Sequence, residues 1–394
     1  MNGWSRSLRQ TMRPTMRQIG AALERCNRIR PEVEAHVTPD RMRRYLRALS
    51  ETPAPSGAAA IMRAPVLREL LKEDGAFASA LGMEDDFRGT GTVTLSTGKR
   101  AHKPLWYVAH LDTISYLVHP GVEGRHALVP YCYHLTETGR RDAKAMRYDL
   151  DRAGFVTVAE GELVSEAGQP YFEAAGADTL RPGDRVVPVV HFHEDRSGHL
   201  TGHFDNAGGV AALAVAAPVL AATGAECLLA LPDEEEGPAA TGNQSMSRGT
   251  ARLVAATAAP QLAVVVDMQQ TAAEGNSGPD GAGEPGQGAV LSEFSSLARG
   301  AVTPPHLYAA ARAFLTSLSG FGAEVRESAN LYTSRSDDVS LMMRDAAIVL
   351  LGFPGGNRHL DRALPSAHLD DLVSLSRALV YMSALAAEVR GDAE

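Results

Sequence analysis

The spacing of apolar positions changes period several times along the chain. Residues 39–50 and 60–73 carry Leu, Met or Val at helical spacing, which predicts two helices. Between them, Glu51-Thr-Pro-Ala-Pro-Ser-Gly57 has the composition of a rigid turn. Residues 89–99 read as a strand bounded by turns, and 105–109 as an apolar strand. From 117 to 200 the pattern breaks into short β-like runs, at 127–131, 155–158 and 186–192, separated by Gly, Pro and charges. Residues 136–148 are the exception there, with a helical period. An Ala-rich apolar helix is predicted at 207–222, buried-type strands at 226–231, 262–266 and 346–353, and helices at 304–318 and 369–388. Residues 272–288 are rich in Gly, Pro and Ala and read as a long loop of the kind that walls or lids a site. Strands alternating with helices give an α/β fold. The division predicted is an N-terminal helical extension (1–44), a catalytic domain in two parts (45–116 and 201–394), and a small β-rich domain inserted at 117–200. No internal repeat is visible.

Composition narrows the class. The 394 residues suffice for two domains or one large domain with an insertion, and 44% hydrophobic with 22% charged residues is a balance that fills a core. The net charge of −9 argues against a nucleic-acid partner. Cys26, Cys132 and Cys227 are odd in number and far apart, so neither a disulfide framework nor a cysteine zinc site is implied, and a reducing compartment fits. No uninterrupted apolar run approaches membrane-spanning length, and the first residues lack the apolar core of a secretory signal. A cytoplasmic protein without a membrane partner is the expectation. Arg6, Arg9, Arg13 and Arg17, with no acid before Glu24, fall on one side of a helix that reads as an oligomer arm or a solvated face.

The candidate chemistry centres on Pro232-Asp-Glu-Glu-Glu-Gly237, where four acids follow an apolar strand. Carboxylates packed side by side repel and are costly to bury unpaired, so a cation is expected there unless the loop is simply solvated. Four further segments share this grammar. An apolar strand runs into His110-Leu-Asp112, Asp205 precedes the 207–222 helix, Asp267 ends the 262–266 strand, and His359 follows the 346–353 strand. Two imidazoles and three carboxylates suit a pair of divalent ions such as zinc, manganese or cobalt. One carboxylate can bridge, and the glutamate left over can act as general base. His191, His193 and His199 read as strand-surface histidines, of which His193 can face the site from the domain junction.

The order His-x-Asp, Asp, Glu-Glu, Asp, His resembles the co-catalytic metallopeptidase clan. That clan contains peptidase T, the acylase-type deacylases and the tetrahedral glutamyl aminopeptidases. The layout is most similar to the last group. Pro55-Ser-Gly57, His110-Leu-Asp112, Arg181-Pro-Gly-Asp184, Phe204-Asp-Asn206 and Ser336-Asp337 look like their motifs in order. The resemblance implies a mixed-sheet sandwich with helices on both faces and one or two divalent ions. It also implies a homo-oligomer whose inserted domain makes contacts and roofs a neighbouring site. By matching position, His110 and Asp267 bind one metal, Glu235 and His359 the other, Asp205 bridges, Asp112 orients His110, and Glu234 is the base. A register one residue later would make the last pair Glu235 and Glu236, and His368 competes with His359. Arg335, in a loop that departs from the family pattern, can clamp a substrate carboxylate, and Asp337 and His193 complete the expected substrate side. The implied reaction is hydrolysis of a C–N bond in a small amine-bearing substrate or short peptide by a metal-activated water, aminopeptidase-like. The alternatives are an N-acyl amino acid deacylase and an aromatic-amine aminohydrolase of the 5-nitroanthranilate deaminase kind on the same scaffold.

Overall fold

A computed structural model describes residues 14–76, 81–119, 125–175, 180–237, 246–271, 284–328, 333–344 and 347–390. Helices α1 (Met16–His36), α2 (Pro39–Glu51) and α3 (Ala59–Glu73) come first, then strands β1 (Gly82–Glu84), β2 (Thr92–Ser96) and β3 (Leu105–Val108). Six strands follow without a helix: β4 (Ser115–Val118), β5 (Arg125–Tyr131), β6 (Gly139–Asp149), β7 (Gly154–Glu166), β8 (Gln169–Glu173) and β9 (Arg185–Pro188). Two short strands, β10 (His193–Glu194) and β11 (His199–Thr201), lead to α4 (Ala207–Ala222). The remainder is β12 (Cys227–Pro232), α5 (Arg248–Ala256), β13 (Leu262–Gln270), β14 (Ala289–Ser292), α6 (Pro305–Leu315), β15 (Val325–Glu327), α7 (Asp338–Leu341), β16 (Ala347–Gly355), β17 (Ser366–His368) and α8 (Leu369–Arg390).

The apolar strands form the middle of a mixed eight-stranded sheet. β12, β3, β13 and β16 lie side by side and parallel. β2 and β1 extend one edge antiparallel, and β14 with β15 completes the other. Both faces are covered, which is why these strands read as continuous rather than alternating apolar runs. Successive side chains still point to opposite layers. Tyr107, Leu229, Val264 and Val349 join the larger core with residues of α1, α4 and α8. Trp106, Leu228, Val265 and Ile348 join a smaller one with Leu253 of α5 and Leu341 of α7. Each such fully buried Leu, Val or Ile contributes about 1.5–3 kcal/mol. Helix α4 is buried from Ala207 to Ala221, consistent with an apolar sequence that has no polar face.

Strands β4 to β9 close into a barrel in the order β4-β5-β8-β7-β6-β9, the small β-rich domain read from the sequence. Residues 136–148 are not helical. Gly139–Asp149 is a strand paired along its whole length with β7, with Ala143 and Ala145 in the barrel core. Its apolar spacing imitates a helix because a register irregularity between Ala145 and Met146 breaks the two-residue alternation. The barrel ends at Pro188, whereas β10 and β11 pair onward to β17 in a separate three-stranded sheet.

Residues 1–13, with Arg6, Arg9 and Arg13, lie outside the described residues, as does 272–283 of the expected loop; Arg17 is exposed on α1. Thr15 and Gln18 form a capping box at the start of α1. Counting uninterrupted apolar runs overlooked α8. Leu369–Val389 is long and apolar enough to cross a membrane by length and composition, although acids interrupt its first turn. That segment is 78% buried inside the fold, packed among α1, α4 and α2, as a core helix.

Candidate metal centre

The parallel strands deliver their carboxyl ends to one rim, the place where α/β sheets gather their sites. His110 lies two residues beyond β3, Glu235 and Glu236 follow β12, and His359 follows β16. Asp267 sits in β13 beyond its last pair with β3. Asp205 arrives from the other direction, ahead of α4. Its neighbour Asn206 caps that helix, accepting from Gly209 N at 3.1 Å and donating to Val266 O at 2.7 Å, and the Asp205–Asn206 peptide is cis.

Two groups of three side chains result, His110–Asp205–Asp267 and Asp205–Glu236–His359. The donor atoms within each lie within 4.8 Å of one another, and Asp205 belongs to both. His110 Nε2 is 3.2 Å from Asp205 Oδ1 and 3.6 Å from Asp267 Oδ1. His359 Nε2 is 3.3 Å from Glu236 Oε1 and 3.5 Å from Asp205 Oδ2. All five residues are buried. The ring orientations are fixed from behind. His110 Nδ1 faces the backbone carbonyl of Asp112 at 3.0 Å, and His359 Nδ1 that of Tyr133 at 2.7 Å. A carbonyl only accepts, so each Nδ1 carries a proton and each Nε2 is turned toward the cluster.

Asp205 Oδ1, Glu236 Oε1 and His359 Nε2 are buried without a hydrogen-bond partner. Leaving three such atoms unsatisfied costs on the order of 1–3 kcal/mol each, more where charged. Their convergence, with a donor set of imidazoles and carboxylates, fits divalent cations. Within the bare cluster, burial pushes Glu235 well above the usual carboxylate range, with Glu236 and Asp267 adding to it and His110 opposing. Burial would raise Asp205 too, but His110 and His359 hold it well below that range.

The four consecutive acids occupy four different environments. Asp233 accepts from Gly57 N and Ala59 N, both at 2.9 Å, and so ties the loop to the start of α3. Glu234, expected as base, has φ +61° and turns away from the cluster. Its carboxylate meets Arg252 Nη2 at 3.1 Å and accepts from the Tyr131 hydroxyl at 3.0 Å. Glu235, expected as ligand, lies with Oε2 3.8 Å from His110 Nε2, and Glu236 is the glutamate that reaches His359. The backbone at Glu234 is left-handed, which no composition signal marks. Helix α5 packs hard against this loop: a Cβ on Gly249 would stand 2.1 Å from the Asp233 carbonyl oxygen. Ser247 N and Arg248 N donate to the carbonyls of Glu235 and Glu234 at 2.8 and 2.9 Å.

Other expected residues fall at varied distances from the centre. The Asp112 carboxylate is 3.5 Å from His110 Nδ1, while its oxygens accept from Glu235 N at 2.9 Å, Glu236 N at 3.2 Å and Ser56 Oγ at 2.6 Å. It therefore positions the two glutamates, and its backbone carbonyl orients His110. Asp337 is fully buried; its Oδ1 accepts from Ser247 Oγ at 3.0 Å and Thr250 Oγ1 at 2.7 Å, while its Oδ2 has no hydrogen-bond partner. Arg335 is half-buried, donates to the Tyr133 hydroxyl and lies 5.9 Å from that ring's centroid. His193 is exposed on the edge strand β10 and belongs to neither donor group. His368 bonds Ser197 O at 2.9 Å and stacks edge-on with His199, outside the cluster. Arg358 was missed: its Nη1 lies 3.5 Å from Asp205 Oδ2, and adjacency to His359 was its sole sequence signal.

A sequence model described as peptidase family M20/M25/M40 matches residues 175–387. No curated protein matches the chain. Solved structures do. A TET aminopeptidase from a marine sediment thaumarchaeote superposes with a TM-score of 0.68 at 17% identity, over 89% of this chain and 99% of that one. The Pyrococcus horikoshii TET1 peptidase, described as able to assemble into a tetrahedron or a large octahedral shell, gives 0.63 at 17% identity over 87% and 99%. An aminopeptidase from Desulfurococcus kamchatkensis gives 0.65 at 15% identity over 87% and 94%. At these identities the likeness is one of fold.

Proposed function

The chain belongs to peptidase family M20/M25/M40, and from that premise we propose that it is a divalent-metal-dependent hydrolase of C–N bonds, aminopeptidase-like in its chemistry. The observation that carries the reading is the pair of buried donor groups sharing Asp205, with three donor atoms left without hydrogen bonds. We assign His110 and Asp267 to one cation, Glu236 and His359 to the other, and Asp205 to both. Zinc, manganese and cobalt all suit this donor set. When bound, such ions supply Lewis acidity to a water and to the scissile carbonyl.

The chain's own groups do the rest. Glu235 is the cluster carboxylate not needed as a ligand, and it accepts the proton of the attacking water and passes it to the leaving nitrogen. Asp112 holds Glu235 and Glu236 through their backbone N–H groups, so base and ligand are placed by one side chain. The backbone carbonyls of Asp112 and Tyr133 keep both imidazoles turned inward. Arg335 and Arg358 bring positive charge to the His359 side, which favours a substrate with a carboxylate on that side. The same pair of arginines supports a second reading, an aminohydrolase acting on an aromatic amine that bears a carboxylate. By analogy with the assemblies described for the TET1 peptidase, a homo-oligomer is proposed.

The test is to assay the metal-loaded protein against amino-acyl anilides, N-acyl amino acids and aminobenzoates while measuring ammonia. Turnover of an amino-acyl anilide supports the aminopeptidase reading. Ammonia from an aminobenzoate with the anilides untouched supports the second. Inactivity on all three classes would refute both.

A further inference from the structure

A second cluster of unsatisfied donors lies on the far side of the His110–Asp112 segment, at the seam between α2, α3 and the barrel. Arg63 of α3 is wholly buried. Its Nη1 donates to the Leu111 carbonyl, between the two residues of the His-x-Asp motif. Its Nε and Nη2 have no partner. These two nitrogens form the side-on edge of the guanidinium, the edge that takes an oxyanion with two parallel hydrogen bonds. Arg63 borders a cavity of about 110 Å³, well above the roughly 10–15 Å³ that admits a single water. Ser50 Oγ, also buried and unpartnered, lines the same cavity. Lys144 of β6 and His203 also line it, and among the described lining residues the one carboxylate, Glu51, is exposed.

We propose that this cavity is a binding site for a small oxyanion, a phosphate-like tetrahedral ion or a small carboxylate, held by the Nε–Nη2 edge of Arg63 and by Ser50 Oγ, with Lys144 supplying further charge. The site stands on its own geometry and does not depend on the hydrolase assignment. The local electrostatics agree. Burial pulls Arg63 down to about 10 even though Asp112 and Asp233 oppose it. The shift marks a buried cation that Asp112 and Asp233 only partly compensate. Because Arg63 grips the Leu111 carbonyl, an anion there also steadies the strand end that carries His110 and Asp112.

The test is calorimetric titration of the metal-loaded full chain, purified without phosphate, sulfate or carboxylate buffers, with inorganic phosphate, acetate and chloride in separate arms. Saturable binding of phosphate or of acetate is expected, the tighter arm identifying the source. Chloride, which cannot span the two-nitrogen edge, should bind at least tenfold more weakly. Ser50→Ala and Lys144→Gln should each weaken the oxyanion several-fold, and Arg63→Lys by tenfold or more. Should Arg63→Lys fail to fold, the first two variants carry the result. His359→Ala, which disturbs the metal centre, should leave the titration unchanged. Absence of saturable oxyanion binding, chloride binding as tight as the oxyanions, or binding that the Ser50 and Lys144 variants leave intact would overturn the proposal. So would binding that His359→Ala abolishes.

Discussion

Replacing Glu234, Glu235 and Glu236 by Gln, one at a time, separates three roles that the loop assigns to three adjacent and chemically identical side chains. Glu235→Gln removes a proton acceptor but keeps the shape and the backbone contacts to Asp112. A positioned general base contributes roughly 10²–10⁴ in rate, so kcat should fall by about that factor, or about 2.7–5.5 kcal/mol of barrier, with metal content unchanged. Glu236→Gln converts a buried anionic donor 3.3 Å from His359 Nε2 into a neutral one. It should therefore lower occupancy of one ion per chain and activity with it. Glu234→Gln breaks the 3.1 Å pair with Arg252, whose side chains are 40% and 21% exposed. A pair in that setting contributes at most about 1 kcal/mol, so metal content should hold and kcat stay within a few-fold of wild type. Elemental analysis, steady-state kinetics on the best substrate of the panel and thermal melting check all three. If Glu234→Gln lost as much kcat as Glu235→Gln while retaining its metal, the assignment drawn from the loop would be refuted.

Further outcomes follow from the same geometry. His359→Ala should lose metal and activity together, whereas His368→Ala, on the three-stranded sheet, should keep both; the reverse pattern in elemental analysis would move the ligand. Asp112→Asn leaves a single acceptor oxygen for Glu235 N, Glu236 N and Ser56 Oγ. At least one buried donor is then unsatisfied, so stability should fall by about 1–3 kcal/mol in denaturant titration. Arg335→Lys keeps the charge but loses the planar fork, so KM for a carboxylate-bearing substrate should rise about tenfold with kcat little changed; an unchanged KM removes Arg335 from the substrate side. Chelation should lower Tm, and readdition of zinc, manganese or cobalt should restore it in a concentration-dependent way, since ligands that bind only the folded state stabilise it.

The elements that position the site were largely legible because they are long and apolar. Residues 207–222, 262–266 and 369–388 announce an apolar helix, a buried strand and a closing helix through their apolar spacing, and the structure places elements there. The strand-then-acid grammar located His110, Asp205, Asp267 and His359, because parallel strands bring their carboxyl ends to one rim. What escaped the reading depended on single backbone torsions or distant pairing. The φ of +61° at Glu234 decides which glutamates face inward, and a run of three glutamates does not encode it. The strand at Gly139–Asp149 is set by its partner β7 and a break in alternation. Asp337 follows the expected motif, with Oδ1 held by Ser247 and Thr250 and Oδ2 left without a partner. The His193 expectation came from sequence proximity to the junction, and pairing with Thr201 places it on an exposed edge. Arg63 and Ser50 carried no signal, since neither a basic residue in a helix nor a serine at its end reveals an empty donor.

The most direct test of the central claim is the metal stoichiometry of the purified, metal-saturated chain and of its Asp205→Ala variant, by elemental analysis after removal of free ions. Asp205 is the residue common to both donor groups. Two ions per chain in the wild type, with both sites weakened in Asp205→Ala, is the predicted result. A wild-type chain that retains no divalent ion, or a variant that keeps two, would contradict the account.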